Sequence, residues 1–162
     1  MPLPVPEDRV ISAPSLLTFS LDQNRYALRL ESVQRVVRAA AVTPLPKAPA
    51  VVLGILDLQG TVAPVFDLRK RFALPEREIL PDDQFIIARA GARTVVLAVD
   101  EATEVLCGEN AIIPPDQIQH GTGYLSGVTR TAAGLVLIHD LESFLSLEEE
   151  ATLAAALQHC EG

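Results

Sequence analysis

Tryptophan is absent from this sequence, and tyrosine occurs only twice, beside five phenylalanines. A folded core must therefore be filled mainly by valine, leucine, isoleucine and alanine. Cysteine is also scarce. Cys107 and Cys160 lie far apart, so neither a disulfide framework nor a zinc-ligand spacing can be assembled, and a reducing compartment is expected. No apolar run approaches the ~18 residues of a membrane-spanning helix, so no direct membrane insertion is expected. The opening Met1-Pro2-Leu3-Pro4-Val5-Pro6-Glu7-Asp8 has no basic start and is broken by prolines, unlike a signal peptide; a cytoplasmic location is expected. Cations are few, 13 Lys and Arg against 21 Asp and Glu, for a net charge of −8. That balance disfavours nucleic acid, whose binding needs cations to displace phosphate counterions, and disfavours anionic lipid.

What the sequence does contain is a repeated order of patterns. Hydrophobic residues make up 49% of 162 positions, enough for one globular domain. After a lead-in over 1–13, Leu17, Phe19 and Leu21 alternate with polar residues. Asp22-Gln23-Asn24 turns the chain, and Tyr26, Leu28 and Leu30 alternate again, which predicts a hairpin with one buried face. Val33, Val36 and Val37 fall at i, i+3, i+4 and predict a short helical turn. Thr43-Pro44-Leu45-Pro46-Lys47-Ala48-Pro49 is a proline loop. Val51 to Leu58 and Thr61 to Phe66 read as strands around Gln59-Gly60, with Pro64 predicting an edge or a bulge. Asp67 to Phe72 reads as a capped helical turn.

The same order returns. Strands at 85–88 and 94–99 flank Gly91, Ala102, Val105 and Leu106 repeat the i, i+3, i+4 spacing, and Ile113-Pro114-Pro115 repeats the proline loop. Tyr124-Leu125-Ser126-Gly127 matches Val51-Val52-Leu53-Gly54, and Leu135 to His139 precedes a second aspartate, Asp140. Val99 follows Leu30 by 69 positions, while Gly127 and Asp140 follow Gly54 and Asp67 by 73. An internal duplication of about 60 residues accounts for this. The chain reads as all-β, with small barrels too marginal to stand without shared core contacts. Ser146-Leu147-Glu148-Glu149 is a capping box, which predicts a helix over 147–159 with Leu147, Ala151, Ala154, Ala155 and Leu157 on one stripe.

Chemistry-bearing residues do not converge. His120, His139 and His159 have no partners at ligand spacing, and His139 reads as a strand residue near the surface. Asp67 and Asp140 occupy the same place in the two copies and read as helix caps rather than an acid–base pair. Gly121-Thr122-Gly123 lacks the rest of a phosphate loop, and neither cysteine has a basic neighbour that would activate it. No catalytic residue, metal ligand or cofactor site is expected. Charge is more telling: residues 22–47 carry a net +3 and residues 88–110 a net −2. Two equivalent faces of opposite sign suit two docking partners, since charge complementarity directs encounter and specificity.

The ordered set of segments resembles the CheW family of bacterial chemotaxis coupling proteins. It comprises Leu16–Leu30, Val33-Gln34-Arg35-Val36, the proline loop, Gly54-Ile55-Leu56-Asp57-Leu58-Gln59-Gly60, Ala63-Pro64-Val65-Phe66-Asp67-Leu68, Val99-Asp100 with Val105-Leu106, and Tyr124-Leu125-Ser126-Gly127. The resemblance spans about 14–150. It implies two five-stranded SH3-like barrels around a shared third core, about 14–80 and 81–146, with strands able to exchange between them. It also implies an adaptor, without enzymatic activity or cofactor, that links the hairpin tip of a methyl-accepting chemoreceptor to the regulatory domain of a CheA-type histidine kinase. Carried over by position, receptor contacts would fall on Val33, Arg35, Val36, Gln59, Ala102 and Val105, and kinase contacts on Leu53 and Gly54. Two positions depart from the family pattern. The usual Asn-Leu-Arg-Gly is Asp57-Leu58-Gln59-Gly60 here, and the usual Val-Gln-Glu is Val33-Gln34-Arg35. A positive charge has in effect moved from 59 to 35. A divergent adaptor in a chemosensory-like pathway controlling pili, gliding or development is the alternative these departures raise.

Overall fold

Apolar residues at every second position form strands, and two-residue turns join them. In the first hairpin the turn residues Asp22 and Gln23 both have positive φ, as a tight hairpin requires. The computed structural model describes residues 15–107, 112–113, 125–132, 134–141, 145 and 147–161. The lead-in, Pro114-Pro115, Gly121-Thr122-Gly123, Tyr124 and Ser146 lie outside them. The strands are β1 (Ser15–Leu21), β2 (Asn24–Arg29), β3 (Val33–Arg38), β4 (Val52–Asp57), β5 (Val62–Asp67), β6 (Gln84–Ala90), β7 (Arg93–Val99), β8 (Glu101–Cys107), β9 (Ile112–Ile113), β10 (Leu125–Thr131) and β11 (Gly134–His139). The helices are α1 (Leu68–Arg71) and α2 (Leu147–Glu161).

The two sheets do not follow the two halves of the chain. One has the order β8-β1-β2-β11-β10-β9 and the other β3-β6-β7-β5-β4. Each copy of the repeat has lent its opening hairpin to the other: β1–β2 joins β8 to β11, and β6–β7 joins β3 to β5. Each sheet therefore draws strands from both sides of residue 80. The exchange is symmetric to the residue. Val65 pairs in parallel with Val96, and Ile138 pairs in parallel with Ala27; offsets of 73 and 69 turn one pair into the other.

Alternation then divides the side chains among three cores. In β6, Phe85 and Ile87 point one way, and Ile86 and Ala88 the other. The first set meets Val37, Leu56, Ala63, Val65, Val96 and Ala98, drawn from the other four strands of that sheet. Residues from both edge strands can converge only if the sheet curls into a barrel. A bridge between Thr43 and Ile55 helps close it, with Ile55 N–H donating to Thr43 O at 2.7 Å. Leu16, Ala27, Val136 and Ile138, with Leu106 and Ile112 packed on them, fill the other barrel. Between the barrels lies the largest core, with Leu17, Phe19, Tyr26 and Leu28 from one sheet against Ile86, Val95, Leu97 and Val99 from the other.

Several local expectations change. The two predicted helical turns at 33–37 and 102–106 are strands, β3 and β8. A bulge in each inserts one residue between core-facing positions, at Gln34 in β3 and Thr103 in β8, so a two-residue period reads as three. The only helical piece near the first is a 3-10 turn at Leu30–Ser32. Pro64 sits in an interior strand, not at an edge. It is tolerated because the parallel pairing of β5 with β7 begins at Val65, so no β7 carbonyl awaits its missing N–H. His139 is buried, its ring stacked on Phe72 at 4.2 Å and tilted against Tyr26. Asp67 caps α1 as expected, accepting from Lys70 N–H at 3.3 Å. Helix α2 docks through Leu153 and Ala156, whereas Ala151 and Ala155 of the predicted stripe are exposed; ion pairs Glu149–Arg71 and Glu150–Arg93, each 2.6 Å, hold it in place.

A polar cluster ties the barrels at one end. Arg69, 7% exposed, donates to Asp22 Oδ1 and Asp100 Oδ1, each at 2.6 Å. Arg77 donates to Asp100 Oδ1 at 2.6 Å and to both oxygens of Asp83 at 2.9 Å. Asp100 Oδ2 also accepts from Asp22 N–H at 2.8 Å, at the tip of the β1–β2 turn. Burial opposes the charge on Arg69, but the bonds to Asp22 and Asp100 outweigh it and raise its pKa above the usual value. For Asp83, burial likewise opposes ionisation. The bonds from Arg77 and from Leu80 N–H, with the charges of Arg77 and Arg69, win and hold it below the usual carboxylate range.

Three outcomes are expected. Fragments 15–80 and 81–161, each lacking two strands of its barrel, will show collapsed amide dispersion alone and regain native spectra on mixing; a dispersed spectrum from either alone would contradict the exchange. Arg69→Ala will cost about 2–4 kcal/mol in urea unfolding, toward the lower side of a broken buried pair because its carboxylates are partly exposed, and Arg69→Lys will recover only part because an ammonium cannot span both. Stability linked to Asp83 will be fully present above the unfolded aspartate pKa of about 3.9 and will be lost as pH falls through the depressed native value; Asp83→Asn will remove that component from an acid titration of stability.

Candidate partner-binding site

Two free edges meet at the mouth of the shared core. Strand β3 ends one sheet and β8 ends the other. Val33 pairs with Ala88 and Val36 with Ile86, and both valines pack on the shared core. Across from them Ala102 pairs with Phe19 and Val105 with Leu17, so these two also face the shared core. Val33 and Val36 become Ala102 and Val105 under the same 69-residue offset. The two bulges set this up: Thr18, fully buried in the second barrel, accepts from Glu104 N–H at 3.1 Å and donates to Glu104 O at 3.0 Å, fixing the bulge in β8. Gln84 closes the floor between the edges, accepting from Ala102 N–H at 2.6 Å. The result is a groove with two apolar walls, exposed enough at Val105 (45%) to receive a partner.

The structure thus brings four of the six candidate receptor positions together. Arg35 is exposed and lies on the other side of β3, opposite Ile87. Gln59 belongs to a different element, the turn between β4 and β5, where it adopts φ 58° and is exposed; Asp57 Oδ1 accepts from Gly60 N–H at 2.8 Å and shapes that turn. Arg35 forms no ion pair among the described residues, and no hydrogen bond links it to Gln59.

Leu53 and Gly54 lie on β4, the terminal strand at the other end of that sheet, which Thr43 bridges at Ile55. A bulge between Val52 and Gly54 turns Leu53 outward, leaving it 37% exposed. Gly54 is buried and presents no side chain. A Cβ there would stand 2.2 Å from Thr43 O, so the residue type is set by the barrel-closing bridge. Leu53 also borders the Arg–Asp cluster, sharing a small cleft with Arg69, Arg77, Asp83 and Asp100.

Arg69, Arg77, Asp83 and Asp100 were not legible as a unit in the sequence. Asp100 entered the sequence reading through the acidic balance of 88–110 and through the Val99-Asp100 pair, neither of which points to Arg69 or Arg77. Among the described residues no group of three His, Cys, Asp or Glu is arranged to hold a metal ion.

Comparison with known proteins gives a consistent result. A model of the CheW-like domain matches residues 15–149. Chemotaxis protein CheW of Treponema pallidum is 29% identical over 146 residues, covering 86% of each chain. The Bacillus subtilis CheW is 31% identical over 109 residues, 66% of this chain and 70% of that one. Protein FrzA of Myxococcus xanthus is 29% identical over 82 residues, 51% of each chain. The crystal structure of the scaffolding protein TtCheW from Thermoanaerobacter tengcongensis superposes with a TM-score of 0.76 at 29% identity, covering 85% of this chain and 95% of that one. With the doubled barrel and the match over most of its length, the chain belongs to the CheW-like domain family.

Proposed function

We propose that this chain is the coupling adaptor of a bacterial chemotaxis pathway, holding a chemoreceptor hairpin tip in the groove between its barrels and a CheA-type kinase regulatory domain on the β4 edge. The observation that carries the reading is the groove itself. Val33 and Val36 on one free edge and Ala102 and Val105 on the other present equivalent apolar positions at the mouth of the shared core. A pair of amphipathic helices buries its apolar face well in such a channel. The resemblance would add Arg35, exposed on the far side of β3, and Gln59, in the turn between β4 and β5, as polar contacts, and Leu53 supplies an exposed apolar contact on the opposite edge of the same sheet. A scaffold of this kind works by fixing two partners in one geometry, which a rigid doubled barrel does without chemistry of its own. Among the described residues no helix is long and apolar enough to cross a membrane, and the receptor would supply the membrane attachment.

The exchange of charge between positions 35 and 59 favours a second reading, a divergent adaptor in a related pathway controlling pili, gliding or development. Its receptor would carry the complementary change.

The test is direct binding to the kinase regulatory domain and a receptor-tip fragment from the same genome. Micromolar binding to both is expected, and no binding to either at tens of micromolar would overturn the role. Val105→Glu will weaken receptor binding by about tenfold or more, while shifting unfolding stability by no more than about 0.5 kcal/mol, because the side chain is already half exposed. Leu53→Asp will do the same to the kinase and leave the receptor fragment unaffected.

A further inference from the structure

The groove is apolar on both sides but not electrically symmetric. Strand alternation places Arg38 on the same face of β3 as Val36, and its cross-strand neighbour is Gln84. Gln84 points to β8, since its side chain accepts from Ala102 N–H at 2.6 Å. Arg38 therefore stands on the groove side, and it is exposed. Its equivalent in β8, 69 positions on, is Cys107, an exposed thiol rather than a cationic side chain. The other charges nearby belong to other faces. Arg35 lies opposite Ile87, and Glu101 and Glu104 lie opposite Ser20 and Thr18. Glu104 is moreover within 3.4 Å of Arg25. Among the described residues Arg38 has no ion-pair partner, in a chain whose net charge is −8.

We propose that Arg38 is a specificity-determining residue of this groove, and that the partner segment lying along β3 carries a carboxylate against it. Because the β8 wall has no matching cation, a two-helix partner is held in one orientation, with its acidic helix on β3 and its uncharged or basic helix on β8. The inference rests on the groove being the receptor site.

The experiment titrates a chemoreceptor hairpin-tip fragment from the same genome into the full chain and into Arg38→Glu, Arg38→Gln, Val105→Glu and Arg89→Glu. Arg89→Glu makes the same charge change at an exposed residue next to the β6–β7 turn, outside the groove. Arg38→Glu is expected to weaken binding by about tenfold or more and Arg38→Gln by roughly threefold to tenfold, with a shallower salt dependence in both. Arg89→Glu should stay within about twofold, and all variants should keep the thermal midpoint of the unaltered chain. Reversing the fragment's acidic residues to lysine should restore affinity for Arg38→Glu. If Val105→Glu loses binding while Arg38→Glu does not, the Arg38 assignment falls and the groove stands. If Arg89→Glu weakens binding as much as Arg38→Glu, only overall charge is being read, and the assignment also falls. If the unaltered chain does not bind the fragment, the groove reading itself fails and takes this inference with it.

Discussion

Asp100 is where the chain passes from one sheet to the other in a single residue. Val99 closes β7 and Glu101 opens β8, so the carboxylate between them sits at the seam of the two barrels. Its oxygens accept from Arg69, Arg77 and the backbone of Asp22, and its own N–H donates to Ser20 O at 3.0 Å. Two arginines on one carboxylate would repel each other in the open, but each has a second acid, Asp22 or Asp83, to balance it. The cluster is thus neutralised within itself to one excess negative charge and can sit at a half-buried seam at modest desolvation cost. It fixes the relative setting of the barrels, and every property of the groove follows from that setting.

Hydrophobic burial supplies most of the cohesion, yet it would tolerate sliding, because valine and leucine surfaces are not directional. The hydrogen-bonded charges supply the direction. The same division recurs at the edges of the groove. Bulges at Gln34 and Thr103 angle the edge strands so that Val33, Val36, Ala102 and Val105 all face the seam, and those bulges also spoil the flat ladder that would invite pairing with another chain.

Much of this was legible in the sequence. Alternation placed the hairpins, the offsets of 69 and 73 revealed the doubling, and the resemblance supplied the shared core. The helical turns at 33–37 and 102–106 were misread because a bulge imitates helical spacing, and single-strand periodicity cannot distinguish the two. The hairpin exchange was not visible in the pattern of residues, because a strand's alternation is the same whichever sheet receives it; only the brevity of the links at 30–32 and 100 hints that hairpin and following strand belong to different sheets. His139 and Arg69 were missed for a related reason. Polar residues adjoining a strand are usually solvated, and their burial here depends on Phe72 and Asp22, residues distant in the chain. For the candidate site, the apolar pairs were readable from the repeat, while Arg38 needed the phase of β3 after its bulge.

The exchanged hairpins also bear on inheritance. A repeat whose copies fold separately can be lengthened, shortened or shuffled one copy at a time. Here neither copy retains all the strands of a barrel, so deletion of one would strand the hairpin it borrowed. The smallest piece that evolution can graft onto another protein is the whole pair. Within that locked pair the copies still differ, in size at buried positions such as Phe19 against Ala88, and in charge at exposed ones such as Arg38 against Cys107 or Arg35 against Glu104.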